Sequence, residues 1–384
     1  MSVERGAAWL DEALASEQTA HASSYGGHDG IDSEHPWLNL TTTMDQGQLE
    51  RKPEPREMLC KYFPAKATSA LVSMGGVGKT TWTTRIALQH VSDDMHVLFV
   101  SSEDDPGDYH AKLHNAIYGL NPVRDPAEVE GKIHVLNFKG HGVKLIGEHD
   151  GSFVPSADAR QLPVFIKKHY PKVRVVFFET VSRFAGGEDN DRMEAIVSAC
   201  DGIALAIDGA CVLVHHTGKG QARSNIVDLY AGRGGSALGD NTRSFIVLTR
   251  LSSGKDGYMG EQPTVIDHGD IEAGRAFEVK HVRSSYSQVQ PPEYYVSRMG
   301  HCHGPVLEPV PVATDADITR AKVERIERQY DAAANKVHEV IKARGGRVPR
   351  GYFDTNTREL IGLSQKEGRD LIKQMLDAGS LGNH

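Results

Sequence analysis

This sequence predicts an α/β fold built on a mostly parallel, twisted sheet, followed by a small helical domain of helix-turn-helix or winged-helix type. Three observations predict it. A Gly-rich turn ending in Lys79-Thr80 lies between the apolar run Ala70-Leu71-Val72 and a helix-forming stretch from Thr81 to His90. Strand-like apolar runs then alternate with helical patterns as far as Pro309, the signature of βαβ units. Beyond the prolines near residue 310, the apolar spacing becomes helical and stays so.

The chain of 384 residues is long enough for one large α/β domain and something smaller. A net charge of −8 argues against a uniformly basic nucleic-acid binder. No apolar run is long enough to span a bilayer, and the acid-containing N-terminus has no signal-peptide core. Cys60, Cys200, Cys211 and Cys302 lack C-x-x-C spacing and read as reduced thiols of a cytoplasmic protein. His301-Cys302-His303 has no second ligand cluster in the sequence, so it reads as a loop rather than a metal site.

Residues 1–50 form an N-terminal arm. It has a short amphipathic helix over Ala7 to Ser16, then a Gly/Ser/His-rich stretch from His21 to Asp32 that reads as flexible. Residues 51–312 form the α/β domain, with its clearest strands at Val97–Ser101, Ile133–Leu136, Val173–Phe178, Ala210–His215 and Phe245–Leu251. Glu272 to Pro309 reads as paired strands with turns at Gly300 and Gly304. Pro309, Pro311 and Asp315-Ala316-Asp317 read as a linker.

Residues 313–384 form the helical domain. One helix is expected from Ile318 to Ala343, and a second pair over Thr355–Ile361 and Gln365–Ala378, joined by Gly362-Leu363. Ser364 and Glu367 have capping-box spacing, and Leu360, Leu363, Leu371, Ile372 and Leu376 supply a small core. From Ile318 onward, thirteen Lys/Arg face nine Asp/Glu. Lys366, Arg369 and Lys373 therefore serve either DNA contact or the solvated face of a protein-interaction domain.

The turn Ser73-Met-Gly-Gly-Val-Gly-Lys-Thr80 matches G-x4-G-K-[ST], with Ser73 in the first position. Backbone N–H groups and the helix N-terminus would converge on a β-phosphate, with Gly75, Gly76 and Gly78 permitting close approach. Lys79 would reach the β/γ-phosphates and Thr80 would bind Mg²⁺. Ser73, Gly75, Gly76, Val77, Gly78, Lys79, Thr80 and Thr81 thus form the expected ATP-binding set.

Hydrolysis also needs a second acid on Mg²⁺, a carboxylate for water and a group that senses the γ-phosphate. α/β sheets place such groups at the C-terminal ends of strands. Glu103, just past Val97–Ser101, is the candidate base, with Asp104 as the alternative. Glu179 ends an apolar strand and would hold Mg²⁺ through water beside Thr80. His215-His216 ends another strand ahead of a basic loop, which makes it a candidate γ-phosphate sensor. That loop, Thr217 to Gly235, carries Lys219, Arg223 and Arg233. It suits either a phosphate backbone or ordinary surface exposure.

Taken in order, these blocks resemble the RepA-type replicative helicases of plasmids and phages, members of the RecA-like ATPases. The matching segments are Ala70–Thr80, Ser102-Glu-Asp-Asp-Pro106, Phe178-Glu-Thr-Val-Ser-Arg-Phe184, Val214-His-His-Thr-Gly-Lys-Gly220 and Gly232–Arg243, with weaker similarity through Val282–Tyr286. The resemblance covers roughly residues 55–310. It implies a RecA-like core and a homo-oligomeric ring, most often a hexamer, that hydrolyses ATP at subunit interfaces while moving on single-stranded DNA.

The resemblance also implies residue roles. Glu103 is the catalytic carboxylate, Glu179 the Walker B acid, where the family usually has Asp, and His216 the sensor. Arg243 is the arginine finger reaching a neighbour's site, and Lys112 stands where the family has another interface arginine. Many minimal members lack the domain after residue 315, which would recruit an origin, a primase or another replication partner. Two rival readings are a DNA-dependent ATPase of recombination-mediator type without unwinding, and an ATP-switched DNA-binding regulator.

Overall fold

A computed structural model describes residues 44–119, 124–216, 237–251, 266, 268–300, 302, 304–311, 315–349 and 351–381. The chain divides into two compact units, residues 1–54 and 55–384. In the first, helix α1 (Gln46–Glu50) begins with a reciprocal capping box between Asp45 and Gln48. The expected helix at 7–16 and the flexible stretch at 21–32 lie outside the described residues.

The second unit opens with the hairpin β1 (Met58–Leu59) and β2 (Phe63–Pro64), followed by β3 (Ala67–Ser73), α2 (Lys79–His90) and β4 (His96–Ser101). Next come α3 (Pro106–Gly119), α4 (Pro126–Val129), β5 (Ile133–Asn137) and the hairpin β6 (Ile146–His149) and β7 (Ser152–Pro155). Then α5 (Ala157–His169), β8 (Val173–Glu179), α6 (Val181–Ala185), α7 (Asn190–Ala206) and β9 (Ala210–His216) follow. α8 (Ala237–Asn241), β10 (Ser244–Arg250), α9 (His268–Glu272), β11 (Ala276–Ser284), β12 (Glu293–Met299) and β13 (Pro305–Val310) complete the α/β part.

Nine strands form one sheet in the order β13-β12-β11-β10-β3-β9-β8-β4-β5. The six from β10 to β5 run parallel, and β11, β12 and β13 extend the sheet antiparallel. Both faces are covered, which is why the parallel strands read as continuous apolar runs rather than alternating ones. On β8, Val176 and Phe178 pack with α5 and α7, while Val175 and Phe177 pack with α2 and α3 on the other face. The predicted α/β class with a mostly parallel sheet is the observed one.

Two local expectations change. Pro309 lies in β13 rather than a linker. An edge strand tolerates proline because it leaves one row of N–H groups without ladder partners. The acids from Asp315 belong to helix α10 (Asp315–Ala343), which starts earlier than the apolar period alone indicated. α11 (Tyr352–Ile361) and α12 (Gln365–Asp377) are joined through Gly362, whose φ of 80° is the left-handed conformation glycine adopts without cost. Ser364 and Glu367 form the expected capping box. Leu363, Leu371 and Ile372 are buried with Ala333, Val337 and Phe353 in a core of their own, while Leu360 and Leu376 pack at its edge. Among the described residues no strand follows β13, so the helical domain has no wing there.

Side chains on α2 and α3 tie the antiparallel edge to the helices. Arg85 on α2 donates to the Leu307 carbonyl (3.1 Å). Asn115 on α3 accepts from the Cys302 N–H (2.7 Å) and donates to the carbonyls of Cys302 (3.3 Å) and Gly304 (3.4 Å). The β12–β13 turn, closed by Gly300 N–H to Gly304 C=O (2.9 Å), is thereby pinned to α3. No helix among the described residues is long and apolar enough to cross a membrane.

Candidate nucleotide site

Strand register creates the site. β9 lies between β3 and β8, and it aligns His216 with Ser73 and Val214 with Glu179. Across the next pair, Ser101 aligns with Glu179. The ends of four parallel strands therefore bring the Gly-rich turn, His216, Glu179 and the Ser102–Asp105 loop to one edge of the sheet.

The turn from β3 into α2 uses left-handed backbone at Gly76 (φ 73°) and Gly78 (φ 94°), where a Cβ would be strained. Gly78 caps α2 with no side-chain hydrogen bond, so the first turn presents its N–H groups without a side-chain acceptor. Val77 and Thr81 are buried, so any part they take in phosphate contact comes through backbone. Gly75 passes beneath His216, and an added Cβ would lie 3.9 Å from the ring.

Lys79 is only 8 % exposed. Its Nζ donates to Met74 C=O (3.1 Å) and Ser73 Oγ (3.3 Å) and lies 3.1 Å from His216 Nδ1. Burial lowers the amine to about 8, opposed by the charges of Glu179 and Glu103. Ser73 is fully buried and its hydroxyl engages Lys79 and Met74 C=O, so its side chain is a rest for the lysine.

Glu179 is buried at the end of β8. Thr83 Oγ1 donates to its Oε1 (3.0 Å) and Tyr109 OH to its Oε2 (2.8 Å). Burial raises its carboxyl above the ordinary range, while the hydroxyls of Tyr109, Thr83 and Thr80 favour the charged form. Thr80 and Glu179 are thus neighbours.

Glu103 is exposed, and its Oε1 accepts from Thr180 Oγ1 (2.6 Å). Asp104, the alternative base, is ion-paired with Lys112 inside the same chain. That pairing occupies both residues without any neighbouring subunit.

Arg243 is not brought to this edge. It precedes β10, its N–H bonds to Thr68 C=O (2.9 Å) near the start of β3, and its side chain is exposed. Arg250, at the far end of β10, lies on the phosphate side of the sheet with its guanidinium 5.7 Å from the Phe277 ring centroid. The basic loop 217–235, with Lys219, Arg223 and Arg233, lies outside the described residues.

Sequence reasoning missed Thr83, Tyr109 and Thr180. Thr83 had a signal, since it stands three residues after Thr80 on the same helical face. Tyr109 and Thr180 had none, because each meets its carboxylate only through strand order.

An uncapped helix start, two left-handed glycines, a buried lysine and adjacent Thr80 and Glu179 fit a nucleoside triphosphate with Mg²⁺. Among the described residues no group of three or more His, Cys, Asp or Glu could hold a metal alone. Mg²⁺ suits this arrangement, because it commonly takes one or two protein ligands plus phosphate oxygens.

Residues 34–222 match the family described as AAA domain. This stretch is similar to an AAA domain. It includes Lys79, Glu103, Glu179 and His216, and ends before Arg243. Two solved structures are similar to the chain. One is described as an ATPase domain, with 12% identity over 77% of this chain and 98% of that one, and a TM-score of 0.44. The other is described as a DnaB-like replicative helicase and its interactions with primase, with 14% identity over 76% and 67% and a TM-score of 0.45.

Proposed function

We propose that the protein is a Mg²⁺-dependent ATP hydrolase of RepA type that works as a homo-oligomeric ring and moves on single-stranded DNA in replication. The observation that carries the ATPase reading is the meeting of Lys79, Thr80, Glu179, Glu103 and His216 at one sheet edge. Residues 51–312 are read as the motor and 313–384 as a recruiting domain. A cytoplasmic setting suits the four cysteines, all of them free thiols.

The chain's own groups divide the work. N–H groups of the Gly75–Lys79 turn and the first turn of α2 receive the phosphates. Lys79 exchanges Met74 C=O and Ser73 for β/γ-oxygens, which releases His216 to follow the γ-phosphate. Thr80 and Glu179 would hold Mg²⁺, which neutralises charge on the phosphate oxygens. Thr180 fixes one oxygen of Glu103 so that the other can take the proton of the attacking water. Arg243, on the far edge, is available to a neighbouring subunit, where it would stabilise charge developing on the γ-phosphate.

The test is a forked-DNA unwinding assay with ATP turnover and native mass measured in parallel, on the wild type and Lys79→Ala. The expected result is a multimeric mass, turnover stimulated by single-stranded DNA, and unwinding, with both activities lost in the variant. A monomeric mass with ATP and DNA present would overturn the ring. Stimulated turnover without unwinding would replace the helicase with a translocase or clamp.

A further inference from the structure

Helix α10 carries apolar residues at Val323, Ile326, Tyr330, Ala333, Val337 and Val340, alternating three and four apart as a coiled-coil seam does. The later part of that seam is used: Ala333 and Val337 are buried against α11 and α12, with Val340 packed at the edge. Among the described residues the earlier part is left open, with Val323 49 % and Ile326 50 % exposed. There Ile326 and Tyr330 of α10 line an open groove shared with α12.

The rim of the groove is acidic. α10 contributes Glu327 and Asp331, α12 contributes Asp370 and Asp377, and Lys373 is the cation among the lining residues. Burial, together with the charges of Glu367 and Asp370, raises the Tyr330 phenol above its ordinary value. This local sign opposes the net positive charge of residues 318–384, so the basic side chains of the domain and this groove serve different surfaces.

We propose that this groove docks a basic amphipathic helix of a partner protein, with apolar residues in heptad spacing on one face and Lys or Arg along its flanks. Heptad continuity calls for a helix, since a strand of period two would leave alternate seam positions empty. The carboxylates repel a phosphate backbone, which excludes DNA as occupant. A second α10 carries five Asp/Glu against four Lys/Arg over residues 315–331, so it lacks the net positive charge that the rim calls for. The inference rests on residues 313–384 being a recruiting domain and is independent of the ATPase chemistry.

The test uses the full chain and a fluorescein-labelled peptide of about three heptads, with Leu at the seam positions and Lys on the flanks. Fluorescence anisotropy should show saturable binding that weakens as salt rises. Asp370→Lys with Asp377→Lys should weaken it about tenfold or more. The same charge change at Glu148 and Asp150, on the β6–β7 hairpin and outside the groove's lining, should leave it within about twofold. Ile326→Ser should weaken binding without altering native mass, and a Leu/Glu peptide should not bind.

An unchanged far-UV helical signal and thermal melt in the Asp370/Asp377 variant report an intact helical domain, and retained ATP turnover tells loss of peptide binding apart from loss of the ATPase reading. Equal weakening in the Glu148/Asp150 control, no binding by the Lys peptide, competition by duplex DNA for the groove, or a native mass reduced by Ile326→Ser would each overturn the proposal.

Discussion

Replacing Tyr109 with Phe removes the phenol that holds Glu179 while keeping the ring. The Tyr109 ring is fully buried and lies 5.0 Å, centroid to centroid, from Phe99. The substitution keeps that ring and its apolar burial, so the transfer term is close to zero. What is lost is the 2.8 Å bond from the phenol to Glu179 Oε2, together with the phenol's hydrogen bond with Ser101, leaving a buried carboxylate short of one donor. A buried hydrogen bond to a charged acceptor contributes about 1.5–3 kcal/mol, which is roughly one to two decades in the folding equilibrium. Urea unfolding of Tyr109→Phe should show a loss in this range. The same substitution in a Glu179→Gln background should cost less, giving a coupling of ~1 kcal/mol or more. Turnover should also fall, with ATP affinity nearly unchanged, because the Glu179 carboxylate is less well held. A stability loss below ~0.5 kcal/mol, or strict additivity with Glu179→Gln, would refute the assignment of Tyr109 as the donor that holds Glu179.

Four further outcomes are expected. Thr180→Val should lower kcat about tenfold with KM little changed, and Glu103→Gln should lower it by about two orders of magnitude or more, read in a steady-state phosphate-release assay. Arg243→Ala should retain nucleotide affinity while hydrolysis collapses, and mixing it with Lys79→Ala subunits should restore turnover at hybrid interfaces. If Arg250→Ala collapses hydrolysis and Arg243→Ala does not, the finger has been assigned to the wrong end of β10. Asp270 is held near pKa 2, below the usual 3.8, by bidentate Arg298 and by Arg275. Its folded value is depressed, so its contribution of ~1–2 kcal/mol is present above about pH 4 and lost as pH falls toward 2. Asp270→Asn should flatten that part of a thermal-melt pH series, and an unchanged series would rule the pair out as a stabiliser.

Much of the site was legible because its parts are local. The Gly-rich turn declares its backbone needs in consecutive residues, and Glu179 and His216 stand where apolar runs stop, which is where strands end. Strand order is not local. The insertion of β9 between β3 and β8 sets the register of the site, and no spacing in the sequence encodes it. The same gap explains Lys112. Linear similarity gives it an interface position, whereas helical spacing places it eight residues after Asp104 and close enough to pair with it. Pro309 ends the paired strands that the sequence predicts, and only its second reading as a linker residue fails, because a proline signals a break unless the strand is known to be an edge. The exposed half of the α10 seam was equally hidden, since a heptad does not say which of its turns will find a partner.

Helix α3 touches three places at successive turns: Tyr109 at Glu179, Lys112 at Asp104, and Asn115 at the β12–β13 turn. One rigid helix thus bears contacts to both carboxylates and to the β12–β13 turn, which lies far from them in the sequence. Gly300 closes against Asn115 so tightly that an added Cβ would stand 2.2 Å from its side-chain carbon. A side chain at position 300 must therefore displace Asn115, and with it the anchor that holds this turn to the helix.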